Sequence, residues 1–216
     1  MRESMRLICG LKKARTMKYF ILNKPRGCIT GRTDPRGRPV VYDHVPAHFP
    51  DLPHIGRLDY NTEGLLLFTD DGRLQRALLS GELASKPVEK VYHVKVRPKV
   101  EAGDARLEKM TLPLKYGFVG EILTTPARVS WVAERQRSVW IEVVITEGKH
   151  RQVRHLCRRS GFQIVKLRRV SIGPLSLGDL KPRWCRGLEL SEVEALYKAV
   201  FDQETVDSFV PITIEE

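Results

Sequence analysis

The sequence predicts an α+β protein with a mixed, mainly antiparallel sheet, and three observations carry that prediction. Stretches of strand character outnumber those of helical character and do not alternate regularly with them, which argues against a doubly wound parallel sheet. Residues 139–146 (VWIEVVIT) give the clearest period-two alternation in the chain, with Val139, Ile141, Val143 and Ile145 on one side. Helical signals are few and each sits beside a cap or a breaker.

In chain order, Lys18 to Leu22 reads as a short buried strand that stops at the turn Asn23-Lys24-Pro25-Arg26-Gly27. Residues 31–39 (GRTDPRGRP) form a polar loop. Gly64 to Thr69 is an apolar strand ending at Asp70-Asp71-Gly72, where Asp71 is placed to cap a helix through Leu74, Ala77 and Leu78. Residues 90–96 alternate, setting Tyr92, Val94 and Val96 on one face. Residues 100–110 look helical. Gly148 ends the 139–146 strand and a helix is expected from about Lys149 to Arg159, then a strand over roughly 163–172. Ser191-Glu192-Val193-Glu194 reads as a capping box opening a helix to about Val200.

A chain of 216 residues suffices for one ordinary domain or two lobes sharing a core, and 42% apolar with 29% charged residues is the composition of a folded soluble protein. No stretch approaches the roughly 20 apolar residues that cross a bilayer. Met1 to Lys18 is basic without an apolar core, unlike a secretory signal, although Arg2, Arg6 and Arg15 would suit an organelle transit peptide. Cys9, Cys28, Cys157 and Cys185 lie far apart with no zinc-ligand spacing, and read as reduced thiols of a cytoplasmic protein. The net charge of +11 is unevenly placed: residues 149–169 hold eight lysines and arginines and no acid, whereas residues 189–216 carry eight acids against Lys198. Such a block points to a polyanionic partner, most often nucleic acid, over a merely basic surface.

The stretch GRLDYNTEGLLLFTD (56–70) superficially fits a calcium loop starting at Asp59. The twelfth position is Asp70, however, and Leu65 to Phe68 form an apolar strand where a solvated loop is needed, so no metal site is expected. What remains is Arg57-Leu58-Asp59 at the mouth of a buried strand. Leu58 anchors the loop while Arg57 favours the ionised carboxylate that a nucleophile or base requires; a surface ion pair or a turn-capping Asp is the plainer alternative. Arg151, Arg154 and Arg158 recur on one helical face opposite Val153, Leu156 and Cys157, either as a solvated stripe or as phosphate contacts. His150 and His155, five apart, share no face well, which disfavours a metal or catalytic pair. Tyr92 is either ordinary core or an aromatic plate for an extruded base.

Four motifs in order then resemble those of the RNA pseudouridine synthases, the RsuA branch in particular and its large-subunit rRNA members most of all. They are Asn23-Lys24-Pro25-Arg26-Gly27; Gly56-Arg57-Leu58-Asp59 running into Thr62-Glu63-Gly64-Leu65-Leu66; Lys90-Val91-Tyr92; and Glu147-Gly148-Lys149 with Arg151-Gln152-Val153-Arg154. The likeness spans roughly residues 18–180. It implies that the sheet is arranged in two lobes around a catalytic cleft, and that uridine is isomerised to pseudouridine by base flipping and aspartate catalysis without a cofactor. Asp59 matches the catalytic aspartate, Arg57 the arginine that enters the helix as the uridine flips out, Tyr92 the stacking tyrosine and Arg154 the aspartate's cationic partner. Leu167 falls near the apolar pocket residue. Lys24, Arg26, Lys149, Arg151 and Arg158 are the expected RNA-binding cations.

Many relatives carry an S4-like RNA-binding module ahead of the first motif, and 17 residues before Lys18 are too few for one. Targeting is then expected from the catalytic domain (18–200), helped by Lys12, Lys13 and Arg15 of a basic extension (1–17); residues 201–216 form an acidic tail. His155 and Arg151 depart from the arginine and histidine common there in relatives. The expected partner is rRNA, with no membrane and no metal, and the expected state a monomer. The rivals are a non-catalytic RNA-binding or ribosome-assembly protein, which has no need of a carboxylate facing phosphates, and a glycosidase pairing Asp59 with Glu63, which the basic surface disfavours.

Overall fold

The computed structural model describes residues 17–81, 83–117 and 121–207. The basic extension up to Thr16, with Lys12, Lys13 and Arg15, and residues 208–216 of the acidic tail lie outside the described residues. The chain runs through β1 (Tyr19–Lys24), a 3-10 turn (Val41–His44), β2 (His54–Ile55), β3 (Glu63–Thr69) and α1 (Gly72–Ser80). It continues through β4 (Lys90–Arg97), α2 (Ala105–Thr111), β5 (Lys115–Tyr116), β6 (Ile122–Leu123), β7 (Arg128–Arg135), β8 (Ser138–Ile145) and α3 (Gln152–Arg159). It closes with β9 (Gln163–Ile172), β10 (Leu175–Ser176), β11 (Cys185–Gly187), α4 (Leu190–Val200) and α5 (Gln203–Asp207).

Nine strands form one sheet in the order β11-β1-β3-β9-β4-β8-β7, with β10 added to β9 and β2 to β3, while β5 and β6 make a separate hairpin. Among the described residues every strand pair is antiparallel except β3 with β9, which run parallel over Glu63 opposite Arg168 and Gly64 opposite Arg169. The class is the α+β arrangement that the sequence predicts. The two expected lobes are two halves of a continuous sheet, joined at this short parallel seam.

The halves bury differently. Every residue of β1, and all of β3 but Glu63, is buried. Tyr19, Ile21, Leu65 and Leu67 pack toward α1 and α4, and Phe20, Leu22, Leu66 and Phe68 pack toward the 3-10 turn. Two covered faces explain the unbroken apolar runs in these strands. In the other half, Val94, Val96, Val139, Ile141 and Val143 face Leu107 and Met110 of α2 and Val153, Leu156 and Cys157 of α3. Only one face is covered there, so alternation is visible in the sequence.

Asp71 caps α1 as predicted, its Oδ1 accepting from the N–H groups of Arg73 (3.0 Å) and Leu74 (3.1 Å). Three helix starts differ from expectation. α2 begins at Ala105 rather than near 100, because Gly103 takes φ +88° and Asp104 then supplies the cap. α4 begins at Leu190, its N-cap Glu189 lying two residues before the predicted cap at Ser191: the Glu192 carboxylate reaches back to the Glu189 N–H at 3.0 Å. α3 begins at Gln152 rather than Lys149, because Arg151 sits in the left-handed region at φ 52°.

Candidate active site

A cleft of about 480 Å³ opens over the seam between the two halves, and both contribute to its walls. Asp59 enters it from the turn between β2 and β3, where the Thr62 N–H donates to the Asp59 carbonyl at 2.9 Å. Three anchors hold this turn. Leu58 is buried in the core of the β4–β8–β9 half. The Thr30 hydroxyl lies 2.7 Å from the Leu58 carbonyl and 3.2 Å from its amide N–H, clamping the backbone from outside. The third anchor is Lys24, whose Nζ donates to the carbonyls of Pro25 (3.0 Å), Asp59 (3.3 Å) and Thr62 (3.0 Å).

Lys24 therefore corrects a prediction. It was expected at an RNA surface, yet it is fully buried, with its three ammonium protons spent on the loop that carries Asp59. Burial pushes its pKa down to about 8, against the opposing pull of Cys28, Asp59 and Glu63. The apolar strand running straight into this lysine was the available signal. Thr30 gave none.

The Asp59 carboxylate meets α3. Arg154 donates from Nε to Asp59 Oδ2 at 2.8 Å and from Nη2 to Thr62 Oγ1 at 2.8 Å, and Arg151 stands 3.6 Å from the same carboxylate oxygen. Arg57 does not supply the countercharge expected of it: it is exposed, lines the cleft, and has no partner among the described residues. The reason is geometric. The first turn of α3 brings Arg154 to within 2.8 Å of the carboxylate, while Arg57 stays exposed at the cleft wall. Arg154 also leaves the solvated stripe envisaged for it, its side chain being only 17% exposed.

The turn ahead of α3 is tied down by Gln152, which is buried and donates to Glu147 Oε1 at 2.8 Å while accepting from the Lys149 N–H at 3.3 Å. Lys149 and Arg151 line the cleft and are exposed. Tyr92 of β4 and Leu167 of β9 also line it and are buried. Arg26 and Arg158 are exposed away from the cleft, Arg26 donating to Asn61 Oδ1 at 3.3 Å. Glu63, the second carboxylate of the glycosidase alternative, pairs with Lys166 at 2.9 Å and does not line the cleft. His155 stacks on Tyr116 with ring centroids 4.2 Å apart, and burial pushes its pKa down. No group of three or more metal-binding side chains occurs among the described residues, and no described helix is long and apolar enough to cross a membrane.

Chemically, the arrangement is a carboxylate oriented by two guanidinium groups, beside a buried aromatic ring and an aliphatic side chain, in a cleft with a cationic mouth. Comparison with known proteins agrees with the sequence motifs. Residues 18–159 match the family described as RNA pseudouridylate synthase. An uncharacterised RNA pseudouridine synthase of Mycobacterium leprae is 36% identical over 86% of this chain and 70% of its own length. One from Aquifex aeolicus is 33% identical over 87% of this chain and 73% of its own. The crystal structure of a pseudouridylate synthase superposes with a TM-score of 0.68 at 31% identity, covering 83% of this chain and 74% of the other. Human RNA pseudouridylate synthase domain containing 1 shares the fold, with a TM-score of 0.52 at 14% identity over 81% of this chain and 80% of its own.

Proposed function

This chain belongs to the RNA pseudouridine synthase family, and from that premise we propose that it isomerises a uridine of ribosomal RNA, most of all large-subunit rRNA, to pseudouridine. The observation that carries the proposal is Asp59, held by Arg154 at 2.8 Å in the cleft that Tyr92 and Leu167 also line. Asp59 is the reacting carboxylate. The C1′–N1 bond breaks, the base turns, a C1′–C5 bond forms, and the proton on C5 is given up while N1 gains one, so the reaction balances without a cofactor. Arg154 keeps the carboxylate aimed. Tyr92 and Leu167 receive the flipped uracil, and Arg57 occupies the place it vacates. Lys149 and Arg151 contact phosphates at the mouth, and Arg26 and Arg158 contact phosphates farther along the RNA. The assignment to rRNA of the large subunit rests on the motif resemblance to the RsuA branch.

Asp59→Asn is expected to abolish tritium release from [5-³H]uridine-labelled rRNA transcripts while RNA binding survives within about threefold, the amide keeping the shape of the carboxylate. Turnover by Asp59→Asn would remove the assignment of Asp59. Absence of tritium release by the wild type from rRNA, but not from tRNA, would remove the choice of substrate.

A further inference from the structure

The inner wall of the cleft holds two cationic donors that the assignments above leave unused. Lys90 precedes Tyr92 by two residues on β4, and Arg169 follows Leu167 by two on β9. Successive residues of a strand alternate faces, so each shares a face with the residue that receives the base. Because β4 and β9 are antiparallel, with Tyr92 opposite Arg169, both steps lead toward the same end of the cleft. All four side chains line it.

Neither cation is satisfied by the protein. Arg169 is only 4% exposed, and its Nε donates to the Leu65 carbonyl at 2.9 Å, but its Nη2 is buried without a hydrogen-bond partner. The Lys90 ammonium makes no hydrogen bond or ion pair among the described residues. Burial first, and the neighbouring Arg169 charge second, push its pKa down, with only Glu147 opposing. Two like charges, half or wholly withdrawn from water, one with no acceptor and the other with a guanidinium nitrogen left unpaired, are costly. An acceptor that arrives with the substrate removes the cost.

We propose that Lys90 and Arg169 form the site for the carbonyl oxygens of the flipped uracil, and that they stabilise the negative charge the base acquires as the C1′–N1 bond breaks. The inference rests on the reading of the Asp59 cleft as the site of uridine isomerisation. A phosphate fits this position less well. The phosphates remain continuous with the rest of the RNA at the mouth, where Arg57, Lys149 and Arg151 are exposed, and only the extruded base reaches the sheet. Donors fixed in a site of low polarity act most strongly on charge that develops during the reaction. The same pair discriminates against cytosine, which places an amino group where uracil offers an oxygen.

The test compares Lys90→Met, Lys90→Arg and the wild type on rRNA transcripts made with uridine or with 5-fluorouridine, under single-turnover conditions. Fluorine itself stabilises the departing uracil anion, so a lost cation matters less. Lys90→Met is expected to slow pseudouridine formation about 100-fold. On 5-fluorouridine, whose C5 carries fluorine and no proton to give up, the readout is C1′–N1 cleavage, seen as loss of intact 5-fluorouridine from digested transcripts. This cleavage should slow at least about fivefold less. RNA affinity should change less than twofold, and Lys90→Arg should recover most of the rate. The melting temperature of Lys90→Met should rise, since an unpaired charge is removed; a merely structural lysine would lower it. Equal rate deficits on the two substrates, or a deficit confined to affinity with a reduced salt dependence, would overturn the proposal in favour of a phosphate contact. Failure of the underlying reading looks different: the wild type forms no pseudouridine, or Asp59→Asn still does.

Discussion

The β1–β3 half of the sheet and the β4–β8–β9 half treat a strand-end lysine in opposite ways. Lys24 ends β1, between two covered faces, and all three of its protons are taken by carbonyl oxygens of the neighbouring turns. Lys90 begins β4, at the end of a row whose other members pass from core (Val96, Val94) to cleft (Tyr92), and its ammonium has no partner among the described residues. Burial lowers the pKa of both. One half is thus closed, with its buried polar groups satisfied, and it fixes where Asp59 sits. The other stops short of closing and presents donors to whatever enters. Similar chemistry in the two lysines serves rigidity in one place and recognition in the other, and the surrounding acceptors make the difference.

The division depends on the parallel seam, and Gly64 is where it is most easily broken. Gly64 has φ +109°, and a Cβ placed there would run into the backbone of Arg169 on β9. Gly64→Ala is expected to cost about 4 kcal/mol, read as a fall in the urea midpoint with little change in slope. A loss below about 1 kcal/mol would mean that the halves adjust freely across the seam.

Next in size is Lys24→Met, which leaves three carbonyls behind the Asp59 turn without their donor and should cost roughly 3 kcal/mol. Its pH dependence sharpens the comparison. The native pKa is about 8 and the unfolded value near 10.5, so between these the unfolded chain holds a proton that the native protein has released. Stability contributed by this group is therefore flat below about pH 8 and rises with pH up to about 10.5. Urea titrations should show the gap between wild type and Lys24→Met widening through that window, by at most about 1.4 kcal/mol per pH unit. A gap that narrows there would show that the three hydrogen bonds outweigh burial.

The same contrast sets what could be read from the sequence. β8 was legible because Val139, Ile141, Val143 and Ile145 alternate over one covered face, and the strand expected over roughly 163–172 is β9. β7 also alternates, with Val129, Trp131 and Ala133 half-buried between exposed neighbours, but its charges and only partial burial left it unread. The two- or three-residue strands β2, β10 and β11 are too short for a period, and the ladder beside them defines them. Asp59 and Arg154 were legible as residue types in motifs, but their 2.8 Å contact joins residues 95 apart, which local spacing does not specify. Lys24 and Arg57 were misread for a shared reason. Spacing along the chain assigns charge to the surface or to a near neighbour, whereas the turn before β3 buries one and turns the other away.

Arg57 carries the smallest stability effect and for that reason separates scaffold from cleft most cleanly. It is exposed and without a partner among the described residues, so Arg57→Ala should alter unfolding free energy by no more than about 0.5 kcal/mol. Leu58, its neighbour, remains in the core and keeps Asp59 in place. Any loss of activity must then arise on the RNA. If Arg57 fills the space left by the flipped uridine, the loss should be about tenfold in kcat/KM on folded rRNA, where extrusion breaks stacking. It should be much smaller on a short unstructured transcript, where the uridine is already free. Measuring tritium release from both substrates decides the matter. Equal losses would place Arg57 among the phosphate contacts of the mouth, beside Lys149 and Arg151, and leave the work of extrusion to the groups at the foot of the cleft.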